Sequence, residues 1–202
     1  IVNRMRLARF KRNLYDFWLD MEVLNGLLDS VTDCSTRYAR ILEGLVKVTN
    51  IFKDAEANIG QCREMLQPLL QQSANASAPT INAVGHAHID TGWLWPVRET
   101  IRKSARTFAS QLDLMERYPE YVFGASQPQH YQFVKDHYPE LYEKIREAVA
   151  GGRWELQGGM CIEPDCNLIS GESMVRQILH GKNFFMDEFG VDVKNCWIPD
   201  VF

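Results

Sequence analysis

The densest chemistry in the chain lies in Gly85-His86-Ala87-His88-Ile89-Asp90-Thr91-Gly92-Trp93-Leu94-Trp95-Pro96, where two imidazoles, a carboxylate and two indoles follow directly on an apolar run. His88 and Asp90 are two residues apart, so on an extended segment leaving a strand their side chains point to one side and can share a cation. His86 has the same parity, as a third ligand or as a neighbour. An imidazole nitrogen beside a carboxylate oxygen suits zinc, cobalt or manganese better than calcium, which takes oxygen ligands throughout. The indoles of Trp93 and Trp95 add flat faces on which a sugar ring can rest. The plainer alternative is a loop capped by imidazoles in which Asp90 opens a helix, and spacing alone leaves both open.

A cluster of this kind needs a scaffold, and beyond residue 80 the chain alternates between two patterns. Residues 80–84 read as a short buried strand, 99–117 as a helix, 121–123 as a second strand, and 129–149 as one or two helices broken at Pro139. Residues 154–157 follow as a third strand, 171–189 as a helix capped by Ser170, and 196–198 as a fourth strand. Strand alternating with helix predicts an α/β fold with a parallel sheet, in which ligands collect at the carboxyl ends of the strands. The polar groups obey that rule: His88 and Asp90 follow strand one, Glu163 and Asp165 strand three, and Asp200 strand four.

Upstream, residues 1–70 are nearly free of proline and carry Phe10, Leu14, Phe17, Trp18, Met21 and Leu24 at helical spacing, which predicts two or three amphipathic helices with Pro68 near the end of the last. The cluster Arg4, Arg6, Arg9, Lys11 and Arg12 fits a solvated face or subunit contact better than a patch for an acidic partner. A small, polar stretch ending at Pro79 reads as a linker. The expected organisation is therefore a helical region at 1–72, a linker at 73–79, and an α/β region at 80–202.

The 202 residues are 46% hydrophobic, enough to bury a sizeable core. A net charge of -4 from 22 basic and 26 acidic side chains gives no reason to expect nucleic acid as a partner. No apolar run approaches the length of a membrane span, and no secretory signal pattern opens the chain. The cysteines at 34, 62, 161, 166 and 196 are odd in number and lack Cys-x-x-Cys, which fits a reducing compartment. In such a compartment the Asn75-Ala76-Ser77 triplet is silent as a glycosylation acceptor.

Three segments in order carry a family resemblance: the His-x-His-x-Asp stretch above, Gly158-Gly159-Met160-Cys161-Ile162-Glu163-Pro164-Asp165-Cys166-Asn167-Leu168 continuing to Gln177, and Trp197-Ile198-Pro199-Asp200. Over roughly residues 80 to 202 the chain resembles the start of the catalytic domain of glycoside hydrolase family 38, the class II alpha-mannosidases, and most of all their cytosolic and bacterial branch. The resemblance implies that His88, Asp90 and Asp200 bind one divalent metal, most often zinc with cobalt as the alternative, and that Asp200 is also the catalytic nucleophile. It implies that Trp93 packs on the mannose ring and that Asp165 lies close to the sugar. Two residues depart from many relatives: Ile162 stands in a stretch that often holds an aromatic, and Pro164 replaces Met or Ala.

The expected protein is accordingly a cytoplasmic, homo-oligomeric enzyme acting on alpha-mannoside oligosaccharides. The chain would hold a helical region and the first half of a parallel β/α barrel-like domain with about four strands. Its start at Ile1 and its end two residues after Asp200 suggest a piece of a longer polypeptide, with the acid/base carboxyl and a further ligand lying beyond. Retaining hydrolysis needs two carboxyl groups about 5 Å apart, one attacking the anomeric carbon and one protonating the leaving group. Glu163 or Asp165 could be the acid on chemistry alone, whereas the resemblance puts it later in the chain. The competing readings are a metal-dependent polysaccharide deacetylase or amidohydrolase, in which the metal activates water, and a non-catalytic fragment for assembly. Trp95 and Trp154 read as core or rim, His130, His137 and His180 as satisfied or exposed helix residues, and Cys161 and Cys166 as small buried residues, while Arg176 points at the site or pairs with an acid.

Overall fold

The computed structural model describes residues 8–73 and 78–200. Arg4, Arg6, the Asn75-Ala76-Ser77 triplet and the middle of the expected linker lie outside the described residues. The chain separates into two compact units, Ile1–Thr80 and Ile81–Phe202.

In the first unit, helices α1 (Arg12–Leu28), α2 (Thr36–Phe52) and α3 (Ile59–Leu70) pack on one another, with a turn of 3-10 helix at Glu56–Asn58 leading into α3. Ser35 caps α2 by accepting from the Tyr38 amide at 3.1 Å, which satisfies one of the free donors of its first turn. Each helix buries one stripe: Phe17 and Leu24 on α1, Ile41, Leu45 and Val48 on α2, Ile59, Cys62 and Leu66 on α3. Those spacings of three, four and seven are what a helix must have to keep one face dry. Pro68 sits in the last turn of α3. Lys11 pairs with Glu56, and Arg12 with Asp16 at 2.9 Å, so the described part of the basic cluster is largely self-neutralised.

The second unit is α/β. Strands β1 (Gly85–His86), β2 (Phe123–Ala125) and β3 (Trp154–Leu156) form a parallel sheet in the order β1-β2-β3, with Gly85 opposite Phe123 and Phe123 opposite Trp154. Helices α4 (Val97–Arg117), α5 (Pro128–His137), α6 (Pro139–Ala150) and α7 (Gly171–Phe189) complete it. The break at Pro139 separates α5 from α6, with proline in the first turn of the second helix, where its missing N–H costs nothing. Ser170 caps α7 by accepting from the Ser173 amide at 3.2 Å. The core is aromatic: Trp154 meets Phe108 and Phe123 edge-on at 5.1 and 4.8 Å. Its indole N–H donates to Tyr131 Oη at 2.8 Å, which in turn donates to the Ala125 carbonyl, so no polar group of this cluster is stranded.

Two expectations about the sheet need correction. Residues 80–84 are not a buried strand: Ile81 and Val84 are exposed, and the ladder starts only at Gly85, whose amide donates to the Val122 carbonyl at 2.8 Å. Residues 196–198 are not a fourth strand, so the described sheet has three strands rather than about four. That segment is held by side chains instead, with Asn195 Oδ1 accepting from the Gly158 amide at 3.3 Å. An apolar β-prone run becomes a strand only where a neighbour offers its backbone. No described helix is long and apolar enough to cross a membrane.

Candidate metal centre

The loop leaving β1 keeps the alternation of an extended segment. Ile89 is buried, and its carbonyl accepts from Gln127 Nε2 at 2.9 Å, which leaves His88 and Asp90 together on the open side. His88 Nε2 lies 3.2 Å from Asp90 Oδ1.

Thr100, fully buried in the first turn of α4, organises the rest of the loop. Its hydroxyl donates to the Asp90 carbonyl at 2.9 Å and accepts from the Gly92 amide at 2.9 Å and the Trp95 indole N–H at 3.2 Å. One hydroxyl thus fixes both the backbone of Asp90 and the turn that presents the indoles. Trp95 is braced further by Lys103 Nζ, 4.3 Å from its ring centroid, and Trp93 leans edge-on against Trp95 at 5.0 Å while remaining 65% exposed.

The carboxyl end of β2 contributes Ser126 and Gln127, both buried. Thr91 Oγ1 donates to Gln127 Oε1 at 3.1 Å and lies 2.8 Å from Nε2 of His130, a buried residue of α5. Burial, helped by the nearby His88, pushes the His130 imidazole down to about 3, so this ring is a neutral strut. Burial also lowers the His86 imidazole, against the opposing pull of Glu163.

Beyond β3 the chain turns through Gly158 and Gly159 in the left-handed region, at φ +87° and +69°. A side chain at Gly158 would press on Ser126 Cβ at 2.9 Å, so the close approach of the β2 and β3 ends also requires glycine there. The following loop is tied to α7, with Cys161 N donating to the Gln177 carbonyl and Ile162 N to Gln177 Oε1, each at 2.8 Å. It delivers Glu163, whose side chain is 8% exposed, with Oε1 accepting from Ser126 Oγ at 2.6 Å and Oε2 at 2.6 Å from His88 Nδ1. The last of these is a close contact rather than an aligned hydrogen bond.

The coil after α7 runs back past these strand ends. Val193 is buried, Trp197 packs on His86 with ring centroids 4.9 Å apart, and Asp200 Oδ2 arrives 3.5 Å from His88 Nε2. One donor atom each from His88, Asp90 and Asp200 therefore lies within 4.8 Å of the others. His86 is not in that group; its Nε2 and the Trp197 Nε1 are buried without a hydrogen-bond partner among the described residues.

These three residues open onto a cavity of about 290 Å³ that Trp93, Glu163 and Asp165 also line. Asp165 is exposed at its rim, where its Oδ1 accepts from the Asn167 amide at 2.9 Å. Four carboxylates and one imidazole face this space, and no lysine or arginine among the described residues lines it. Arg176 pairs with Glu172 at 2.8 Å instead. Like charges converging without a counter-charge are costly, and a borderline nitrogen and oxygen donor set fits a divalent transition-type metal. Cys161 is part-buried, but Cys166 is exposed, contrary to the expectation of a buried residue.

Ser126, Gln127 and Thr100 have no role in the sequence reading. The signal for the first two is the rule that polar residues just past a buried strand collect at the site. It is missed because that reading ends the second strand at 123, two residues before β2 ends.

A parallel sheet with acidic and imidazole side chains gathered past its carboxyl edge is an enzyme-type architecture. Residues 78–202 match the Glycosyl hydrolases family 38 N-terminal domain, and the chain belongs to that family. It is 40% identical over 202 residues to Alpha-mannosidase 2C1 of Homo sapiens, covering all of this chain and 19% of the human protein. It is 43% identical over 143 residues to Alpha-mannosidase G of Dictyostelium discoideum, across 70% of this chain and 13% of that protein. Alpha-mannosidase of Saccharomyces cerevisiae is 36% identical over 168 residues, across 77% of this chain and 16% of its own length. The chain thus spans about a fifth or less of the relatives it matches.

Proposed function

We propose that this chain carries the metal-binding and nucleophile-bearing part of a retaining alpha-mannosidase. The observation that supports it most is the convergence of His88, Asp90 and Asp200 beside an exposed indole in an acidic cavity. In this reading those three residues hold one divalent cation, zinc or cobalt, which supplies Lewis acidity and a grip on neighbouring sugar hydroxyls. Trp93 offers its open face to the mannose ring, and Asp165 approaches the sugar from the rim. Asp200, 54% exposed at the mouth, attacks the anomeric carbon as the glycosidic C1–O bond breaks and its oxygen leaves with a proton from the general acid. Water then cleaves the resulting glycosyl ester, returning a proton to that acid's conjugate base. The Thr100 and Gln127 hydrogen bonds hold the Asp90 loop in one geometry, so little reorganisation is needed when a sugar binds. The general acid in this reading is the later carboxyl that the family resemblance implies rather than Glu163, which lies enclosed beside Ser126 and the His88 ring.

Residues 1–72 are read as a helical region, 73–79 as a linker, and 80–202 as the start of the catalytic domain, with the three strands belonging to a larger parallel barrel-like sheet. A cytoplasmic setting is part of the proposal, supported by five free thiols. So is self-association, supported by the exposed Trp18, Val23 and Val46 of the helical unit.

The test is an aryl alpha-mannoside assay on the full polypeptide carrying this chain, wild type and Asp200→Ala, with chelation and metal re-addition. Activity that the chelator removes, metal restores and the substitution lowers by at least 10³-fold, roughly 4 kcal/mol or more, is expected. A folded, metal-loaded protein that leaves mannosides untouched overturns it in favour of a deacetylase-type hydrolase, which forms no ester on Asp200.

A further inference from the structure

We propose that Glu163 is a positioning residue that locks the imidazole of His88 for metal binding, and that Ser126 holds Glu163 in place; this rests on the metal reading above. The two ring nitrogens of His88 face different partners: Nε2 looks toward Asp90 and Asp200, at 3.2 and 3.5 Å, and Nδ1 lies 2.6 Å from Glu163 Oε2. Ring nitrogens on opposite edges of an imidazole cannot serve one cation, so Glu163 acts through the ring and not as a ligand. A carboxylate on the far nitrogen selects the tautomer that frees Nε2, fixes the ring plane, and makes Nε2 a stronger donor.

The surroundings of Glu163 suit that task. Its side chain is almost fully enclosed, Ser126 Oγ donates to Oε1 at 2.6 Å, and its own amide donates to Gln127 Oε1 at 3.3 Å. Gln127 also grips the Ile89 carbonyl, between His88 and Asp90, so the loop carrying the ligands and the loop carrying Glu163 share one anchor. No lysine or arginine pairs with Glu163 among the described residues. A buried carboxylate without a cationic partner needs some other reason to be there, and the 2.6 Å approach of His88 Nδ1 supplies one.

The experiment measures Zn²⁺ affinity by competition with a chromophoric chelator, and the absorption of the Co²⁺ form, in the full polypeptide carrying this chain. Glu163→Ala is expected to weaken Zn²⁺ binding roughly 10- to 100-fold, and Glu163→Gln by less, because its amide oxygen keeps an acceptor facing Nδ1. Both should shift the Co²⁺ bands. Asp165→Asn, which removes a charge from the same cavity without touching His88, should weaken binding by about threefold at most, a surface-type effect. Should Glu163→Ala fail to fold, the isosteric Glu163→Gln decides. Wild-type Zn²⁺ affinity in both Glu163 variants overturns the role of Glu163 alone, as does an equal loss in Asp165→Asn, which would mark it as net charge. A wild-type protein that binds no Zn²⁺ overturns the metal reading itself and this inference with it.

Discussion

Acid should loosen the loop that carries His88 and Asp90 through His130, and the size of the effect follows from its burial. The imidazole sits inside α5 against Thr91 Oγ1, and its proton affinity is pushed down to about 3, first by burial and then by the nearby His88. In the unfolded chain a histidine titrates near 6.5. Between those two values the unfolded state binds the extra proton and the folded state does not. The contribution of His130 is therefore intact above about 6.5 and declines as pH falls toward 3, by about 1.4 kcal/mol per pH unit. From pH 7 to pH 5 the loss is about 2 kcal/mol, a large fraction of the 5–15 kcal/mol or so that holds a domain together. The assay is urea unfolding of the chelator-treated protein at both pH values, wild type and His130→Gln, since glutamine cannot titrate. The pH-dependent loss should be smaller by about 2 kcal/mol in the variant. Equal losses in the two proteins, within about 0.5 kcal/mol, would refute the argument that a buried neutral imidazole braces this loop.

Other expectations concern packing and sugar contact. Gly181→Ala places a methyl against the backbone of the loop before Glu163, at 2.7 Å from both the Met160 carbonyl carbon and the Cys161 nitrogen. It should cost about 1–3 kcal/mol in unfolding free energy although alanine favours helix by about 1 kcal/mol, and a rise in the thermal midpoint would contradict this. Trp93→Ala should leave stability within about 0.5 kcal/mol, because the indole is mostly exposed, while lowering kcat/KM on an aryl mannoside roughly tenfold, the ~1.4 kcal/mol scale of one aromatic contact. Unchanged kinetics would remove Trp93 from the sugar site.

Much of the local structure is legible in the sequence. Ser170 and the run to Phe189 specify α7, and Pro139 specifies the break between α5 and α6, because caps and proline act through atoms a few residues away. The parity of His88 and Asp90 is equally local, and the structure keeps them on one side with Ile89 buried between. The strands were less legible. Residues 80–84 and 196–198 have strand-like composition, yet neither joins the sheet, because a strand exists only through the backbone of a neighbour distant in sequence.

The same distinction runs through the site. Residue type and spacing by themselves paired His88 with Asp90 as candidate donors, and the family resemblance added Asp200, since a ligand's chemistry belongs to its own side chain. Tertiary structure decided which groups surround those candidate donors: Thr91 bonds to Gln127 and His130 across 36 and 39 residues, and Glu163 reaches Ser126 across 37. It also brought Asp200 to His88 on a coil rather than a strand, and parted His86 from the cluster by packing it on Trp197. A hydrogen bond between distant residues has no periodicity to betray it, and only the folding of β1, β2 and β3 side by side brings their carboxyl ends within reach of one another.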